Sequence, residues 1–187
     1  MSYEVPRMEG DDEIQYGSLP EGGWPRWEAF VRQNGGLAHI HSESVHAPDA
    51  ESALLNARDA YLRRVEGVSL WVAPAASVTV WESDSTDNPP PATAPDAPQL
   101  WEVFVRHRRG LAHLHAGSLR AGSSGDAIAK ARKAYLPRDD GVGIWVVPSQ
   151  DIYSADPAEA EALFEPFSDK DYRYPTYYDI PNEVGHM

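Results

Sequence analysis

From Trp101 to Arg106 the chain alternates Trp101, Val103 and Val105 with Glu102, Phe104 and Arg106, the two-residue period of a strand. Gln33-Asn34-Gly35-Gly36 near the start of the chain, and Gly110 at the matching place further on, supply residues that tolerate positive φ. A hairpin is therefore expected to lead into a second strand, Leu111 to His115 in the later stretch. After Pro48-Asp49, and again after the capping-box-like Ser123-x-x-Asp126, the apolar spacing changes to that of a helix: Leu54, Ala57, Tyr61 and Ile128, Ala131, Tyr135. Pro137 and Gly141 close the second helix. Val68 to Ala73 and Val142 to Val147 are apolar enough for central strands, and Ser77 to Glu82 and Gln150 to Tyr153 read as short extended pieces.

This order occurs twice because the sequence does. Trp27-Glu28, Phe30-Val31-Arg32, Gly36-Leu37-Ala38-His39, His41 and Ser44 recur without a gap as Trp101-Glu102, Phe104-Val105-Arg106, Gly110-Leu111-Ala112-His113, His115 and Ser118. Ala57-Arg58, Ala60-Tyr61-Leu62, Gly67-Val68, Trp71-Val72 and Pro74 recur as Ala131-Arg132, Ala134-Tyr135-Leu136, Gly141-Val142, Trp145-Val146 and Pro148. Roughly half the aligned positions are identical, which marks a tandem duplication. The expected fold class is α+β: two β-β-α-β modules with mostly antiparallel sheet, arranged as a pseudo-dimer, plus an aromatic-rich C-terminal arm. The divisions are a flexible N-terminal segment over 1–23, modules over 24–82 and 100–155, a Pro-rich linker over 83–99, and a C-terminal helix and arm over 156–187. Extended at ~3.1 Å per residue, the linker can reach on the order of 50 Å, enough for side-by-side docking. Asp156-Pro157 suits the cap and first position of a short helix through Leu163. Beyond it Pro166, Pro175 and Pro181 forbid a long helix, and the aromatic side chains there call for a surface to dock on, on this chain or on a partner.

Composition narrows the function. The net charge of −13 argues against non-specific nucleic-acid binding, and His107-Arg108-Arg109 and Arg63-Arg64 are too short to alter that. No apolar run approaches the ~20 residues of a membrane-spanning helix, and the acidic N-terminal stretch resembles neither a secretory signal nor a mitochondrial presequence, so a cytoplasmic location is expected. The absence of cysteine removes disulfides, thiolate metal sites and cysteine nucleophiles.

The alternating pairs His39-x-His41 and His113-x-His115 would put both imidazoles on one strand face, a start for a metal site. A third ligand at fixed spacing is missing from both copies, since Glu43 is matched by Gly117 and His46 by Arg120. Leu37 and Leu111 are expected on the histidine faces, so His39, His41, His113 and His115 read first as structural or interface histidines. Glu43-x-x-His46 with Glu183-x-x-His186 mimics di-iron ligands, but Glu43 is expected at a strand end or turn rather than on a bundle helix. Neither a nucleophile elbow nor a glycine-rich nucleotide cradle is present.

WEVFVR, GLAHLH, the following GSL, NARDAYLRR with EGVSLWV, and YRYPTYYDIP with the closing HM resemble the PaaB family, a component of the multicomponent ring-1,2-phenylacetyl-CoA epoxidase. The resemblance covers nearly all of the chain from Trp24 apart from the linker, although the family's module usually stands singly. It implies a structural, bridging role without catalytic residues, in aerobic phenylacetate catabolism. The implied partners are a helical di-iron catalytic subunit, its structural partner subunit and, as a further candidate, the reductase. No cofactor is implied in this chain: the di-iron centre belongs to the catalytic partner, flavin and an iron–sulfur cluster to the reductase. The candidate partner interface is Arg58, Tyr61, Arg63, Arg64, Tyr172, Arg173, Tyr174, Tyr177, Tyr178 and His186. The alternatives are a stand-alone binding module of the same fold, or a small metal-binding protein using the paired histidines.

Overall fold

The computed structural model describes residues 23–33, 38–62, 67–86, 97–137 and 141–155, together with 161, 163 and 165. The first half contains β1 (Arg26–Gln33), β2 (Ile40–His46), α1 (Ala50–Tyr61), β3 (Gly67–Pro74) and β4 (Thr79–Glu82). The second repeats the order with β5 (Gln99–Arg106), β6 (Leu114–Ala121), α2 (Ser124–Tyr135), β7 (Gly143–Pro148) and the short β8 (Tyr153–Ser154). Each helix begins on a side-chain cap. Asp49 accepts from the Ser52 amide at 2.7 Å and Ser123 from the Asp126 amide at 3.2 Å, satisfying donors that the first turn leaves open.

The fully buried helix positions are Ala53 and Ala57 in α1, and Ala127, Ile128 and Ala131 in α2. Small side chains one turn apart let each helix approach the strands closely, while Leu54, Tyr61 and Tyr135 pack at the margins. The second strands differ from expectation. They start at Ile40 and Leu114, so His39 and His113 lie just before them, and they run on to His46 and Ala121. Leu111 stands in the preceding turn with 57% of its surface exposed, so it does not share the histidine face; Leu37 lies outside the described residues. Glu43 likewise sits within β2 rather than at its end, at a bulge where the β1 register shifts between Ala29 and Phe30.

All described strands form one antiparallel sheet of eight strands in the order β4-β7-β5-β6-β2-β1-β3-β8. The order reads the same from both ends once each strand is exchanged for its counterpart in the other repeat. Consequently β4, from the first repeat, finishes the edge of β7 in the second, and β8 returns to the edge of β3 in the first. The joint between the halves is narrow: Ile40 pairs with Leu114, with His41 N–H donating to His113 O and His115 N–H to His39 O, both at 2.9 Å.

The sheet is strongly curled. In a flat sheet β1 and β5, three strand spacings apart, would be separated by roughly 14 Å, yet the rings of Phe30 and Phe104 stack with centroids 4.1 Å apart. One face of each half therefore packs under its own helix, around Trp27, Val31 and Leu70 or Trp101, Val105 and Ile144. The other face turns inward against the opposite half, around Phe30, Ala73, Phe104 and Val147. This explains why Trp101 through Val105 are all buried, although alternation predicts a polar, solvated face for Glu102 and Phe104. Among the described residues no helix is long and apolar enough to cross a membrane.

Candidate functional site

The inward faces bring the paired histidines together across the joint. His39 stacks on Trp71 of its own repeat at 3.7 Å between centroids, and His115 of the other repeat meets the same indole edge-on at 5.1 Å. The second set mirrors this: His113 stacks on Trp145 at 4.1 Å and His41 approaches it edge-on at 4.6 Å. His39 faces His115 and His41 faces His113, each at 6.4 Å. Each indole is thus held between one histidine from each repeat.

Two buried carboxylates anchor the cluster. Glu28, on β1, bonds His41 Nε2 at 2.8 Å, and Glu102, on β5, bonds His115 Nε2 at 2.7 Å. Glu102 also accepts from Ser118 at 2.9 Å and Ser149 at 2.6 Å. Burial alone would raise the Glu102 pKa, but the bonds from His115, Ser149 and Ser118 outweigh it and hold the carboxyl below the usual range. The pKa values of the stacked histidines are also lowered, which for an imidazole favours the neutral form. Burial first, then the positive charge of Arg32 and of His115, lowers His39 to about 4. Burial, then Arg106 and His41, lowers His113 to about 3. Both are neutral near pH 7.

The two sets differ beside the stacked histidines. His39 Nε2 shares a 3.0 Å hydrogen bond with Ser69 Oγ. The counterpart of Ser69 is Gly143, where an added Cβ would stand 3.2 Å from His113 Nε2, and that buried nitrogen has no hydrogen-bond partner among the described residues. Among the described residues no three His, Asp or Glu side chains stand together as a metal-ligand set. What the arrangement does is join the halves through aromatic contacts, His115 on Trp71 and His41 on Trp145, with each of these histidines held by a buried carboxylate of its own repeat.

Sequence reasoning singled out the four histidines but missed Glu28, Glu102, Phe30, Phe104, Trp71 and Trp145 as their partners. The available signal is that all six recur between the repeats. Of the candidate partner interface, Arg58 and Tyr61 fall on α1: Arg58 pairs with Asp59 at 3.0 Å, and Tyr61 donates its hydroxyl to Ser44 O at 2.8 Å. Burial, followed by the charges of Glu43 and Glu28, raises the Tyr61 pKa. Arg63, Arg64, Tyr172, Arg173, Tyr174, Tyr177, Tyr178 and His186 lie outside the described residues, as does Glu183. His46 is exposed at the end of β2, and Arg109 of the short basic run pairs with Asp84.

The family model described as phenylacetic acid degradation B matches residues 23–93 and again 98–185. A curated relative, the B component of the 1,2-phenylacetyl-CoA epoxidase of Escherichia coli (strain K12), is 46% identical over 88 residues, which span 47% of this chain and 93% of that protein. No solved structure matches the chain. A match to each repeat, together with the recurrence of strand order and inward-facing residues, makes the chain a tandem duplication that belongs to the phenylacetic acid degradation B family.

Proposed function

We propose that the chain is a non-catalytic bridging subunit of a multicomponent di-iron oxygenase that epoxidises phenylacetyl-CoA in aerobic phenylacetate breakdown. The observation that carries this reading is how the histidines are used: His39 and His113 stack on the indole of their own repeat, while His41 and His115, each held by a carboxylate of its own repeat, meet the indole of the other. Family membership supplies the metabolic setting, and the relative named as an epoxidase subunit supplies the reaction. In this reading the partners are a helical catalytic subunit holding the di-iron centre and its structural partner subunit. The reductase, with flavin and an iron–sulfur cluster, delivers electrons, and this chain holds no cofactor of its own. It works in the cytoplasm, and Arg58 and Tyr61 on α1, with the residues of the C-terminal arm, form its partner surface.

The test is a pull-down of the tagged chain from its native cells grown on phenylacetate, with the intact complex weighed. Helical oxygenase subunits recovered in fixed ratio are the expected result; recovery of the chain alone would sink the bridging role.

A further inference from the structure

By sequence β8 ends the second repeat, yet its side chains pack on the first. Tyr153 and Ser154 pair with Val72 and Trp71 of β3, and the Tyr153 ring meets Trp27 edge-on at 5.7 Å. Leu163, further along the chain, packs against the same core as Trp27. With Ala50, Leu54, Leu55 and Tyr153 it lines a cleft of about 610 Å³ between α1 and β8. The chain beyond Leu163 therefore sets out from the α1 side of the first half, and not from α2, the helix of its own repeat.

The two helices differ in what they can receive. Leu55 of α1 is 40% exposed in the cleft, whereas the repeat places Ala129 at that position of α2, and Lys133 where α1 has Asp59. The hollow at the matching place on α2 is lined by Ala129, Arg132, Lys133, Leu136 and Pro137, so it offers cations where α1 offers leucines. After Glu165 the sequence carries Phe167, Tyr172, Tyr174, Tyr177, Tyr178 and Ile180, and its prolines keep them off a helix of their own. Such a segment buries its rings only by lying on another surface. Length is no obstacle: the 12 residues of α1 span about 18 Å, and the 22 residues after Glu165 (187 less 165) reach on the order of 70 Å when extended. Charge alone favours α2, since Asp169, Asp171, Asp179 and Glu183 outnumber Lys170 and Arg173. Exposed, screened charges contribute less than burial of aromatic rings, so the apolar cleft wins.

We infer that residues 166–187 lie in the cleft between α1 and β8 and along the Leu55 side of α1, so that the chain's own arm and the helix of its first repeat form one continuous surface. The arm follows the second repeat and completes the first. The connection that follows β4 leads instead to β5 and carries no aromatic residue over 87–96. One chain therefore offers a single helix covered by the arm, and a partner that reads helix and arm together meets the tandem in one orientation. That last step rests on the bridging reading; the seat of the arm does not.

Because the chain has no cysteine, introduced pairs can be read without background. In the full chain Leu55→Cys is combined with Thr176→Cys or Asn182→Cys, Ala129→Cys is combined with the same two, and each pair is treated with a short bifunctional maleimide. At least one Leu55 pair is expected to close within a single chain roughly tenfold or more faster than its Ala129 counterpart. Equal rates, faster closure on Ala129 or no closure would overturn the inference, and so would closure that joins two chains, since the arm would then belong to a second copy. Hydrogen exchange gives a second reading. Amides over residues 172–180 are expected to exchange roughly tenfold or more slowly than in an unfolded chain. Leu55→Lys, at an exposed position, should abolish that protection while α2 exchanges as in the wild type, and Ala129→Lys should preserve it. An unprotected arm in the wild type, or protection that survives Leu55→Lys, would equally overturn the inference. The result is separable from the pull-down: the arm can be seated on α1 when no oxygenase subunit is recovered, and subunits can be recovered when it is not.

Discussion

A histidine in an unfolded chain takes up its proton near pH 6.5, whereas His39 does so near 4 and His113 near 3. Below pH 6.5 the unfolded state therefore binds more protons, and stability falls as the pH falls. The contribution is complete above about pH 6.5 and is lost progressively toward the folded values. By pH 4.5 the loss amounts to roughly 2–3 kcal/mol for each histidine. Glu102, held below its usual 4.5, adds its own loss only at still lower pH, so the window from 6.5 to 4.5 belongs to the histidines. Urea midpoints measured across that window should decline steeply in the wild type and much less in a His39→Gln, His113→Gln double variant. Parallel curves would mean that the two imidazoles are not buried neutral. The four histidines were legible because they recur as a conspicuous alternating pair. Their partners were not, because Glu28 meets His41 only through the exact register of β1 on β2, bulge included, and Trp71 reaches His115 only after the sheet has curled, and no spacing along the sequence encodes either meeting.

At the level of elements, local pattern served well where local forces decide. Caps at Asp49 and Ser123, helical spacing over Ala53 to Tyr61, and the apolar runs of β3 and β7 all follow from side chains a few residues apart. It failed where distant chain decides: four residues such as Thr79 to Glu82 show an extended habit but not which sheet edge they complete. The bulge in the second strands is an intermediate case. Both repeats force a positive φ there, 145° at Glu43 and 142° at Gly117. Glycine meets that demand without penalty, whereas Glu43 carries strain. Glu43→Gly is therefore expected to raise the urea midpoint, by about 1 kcal/mol of stability. The reverse change, Gly117→Glu, should lower it further than that, because a Cβ there would come within 2.7 Å of the Tyr135 hydroxyl. A loss of stability in Glu43→Gly would show the bulge to be unstrained in the first repeat.

For the molecule as a whole, the exchange of β4 and β8 ties each half to the other more firmly than the narrow β2–β6 joint alone could. A protease site placed within residues 87–96, between the repeats, should give two fragments that elute together from a sizing column and separate only in denaturant. Fragments that part under native conditions would show that the covalent connection, rather than the shared inner face and crossed strands, keeps the halves together.

The same crossing imposes an order in time. As the chain leaves the ribosome, β4 emerges long before the β7 edge it must join, and β3 waits for β8, whose last residue lies 80 positions after Pro74 (154 less 74). At a synthesis rate of about 5–20 residues per second, that wait is roughly 4–16 s. For that interval the inward face of the first repeat, with Phe30 and Trp71, is exposed and the edge of β3 is open. Two nascent first repeats on neighbouring ribosomes would present the same open edge and face to each other. The cell makes this protein safely only if the second repeat arrives before another chain does.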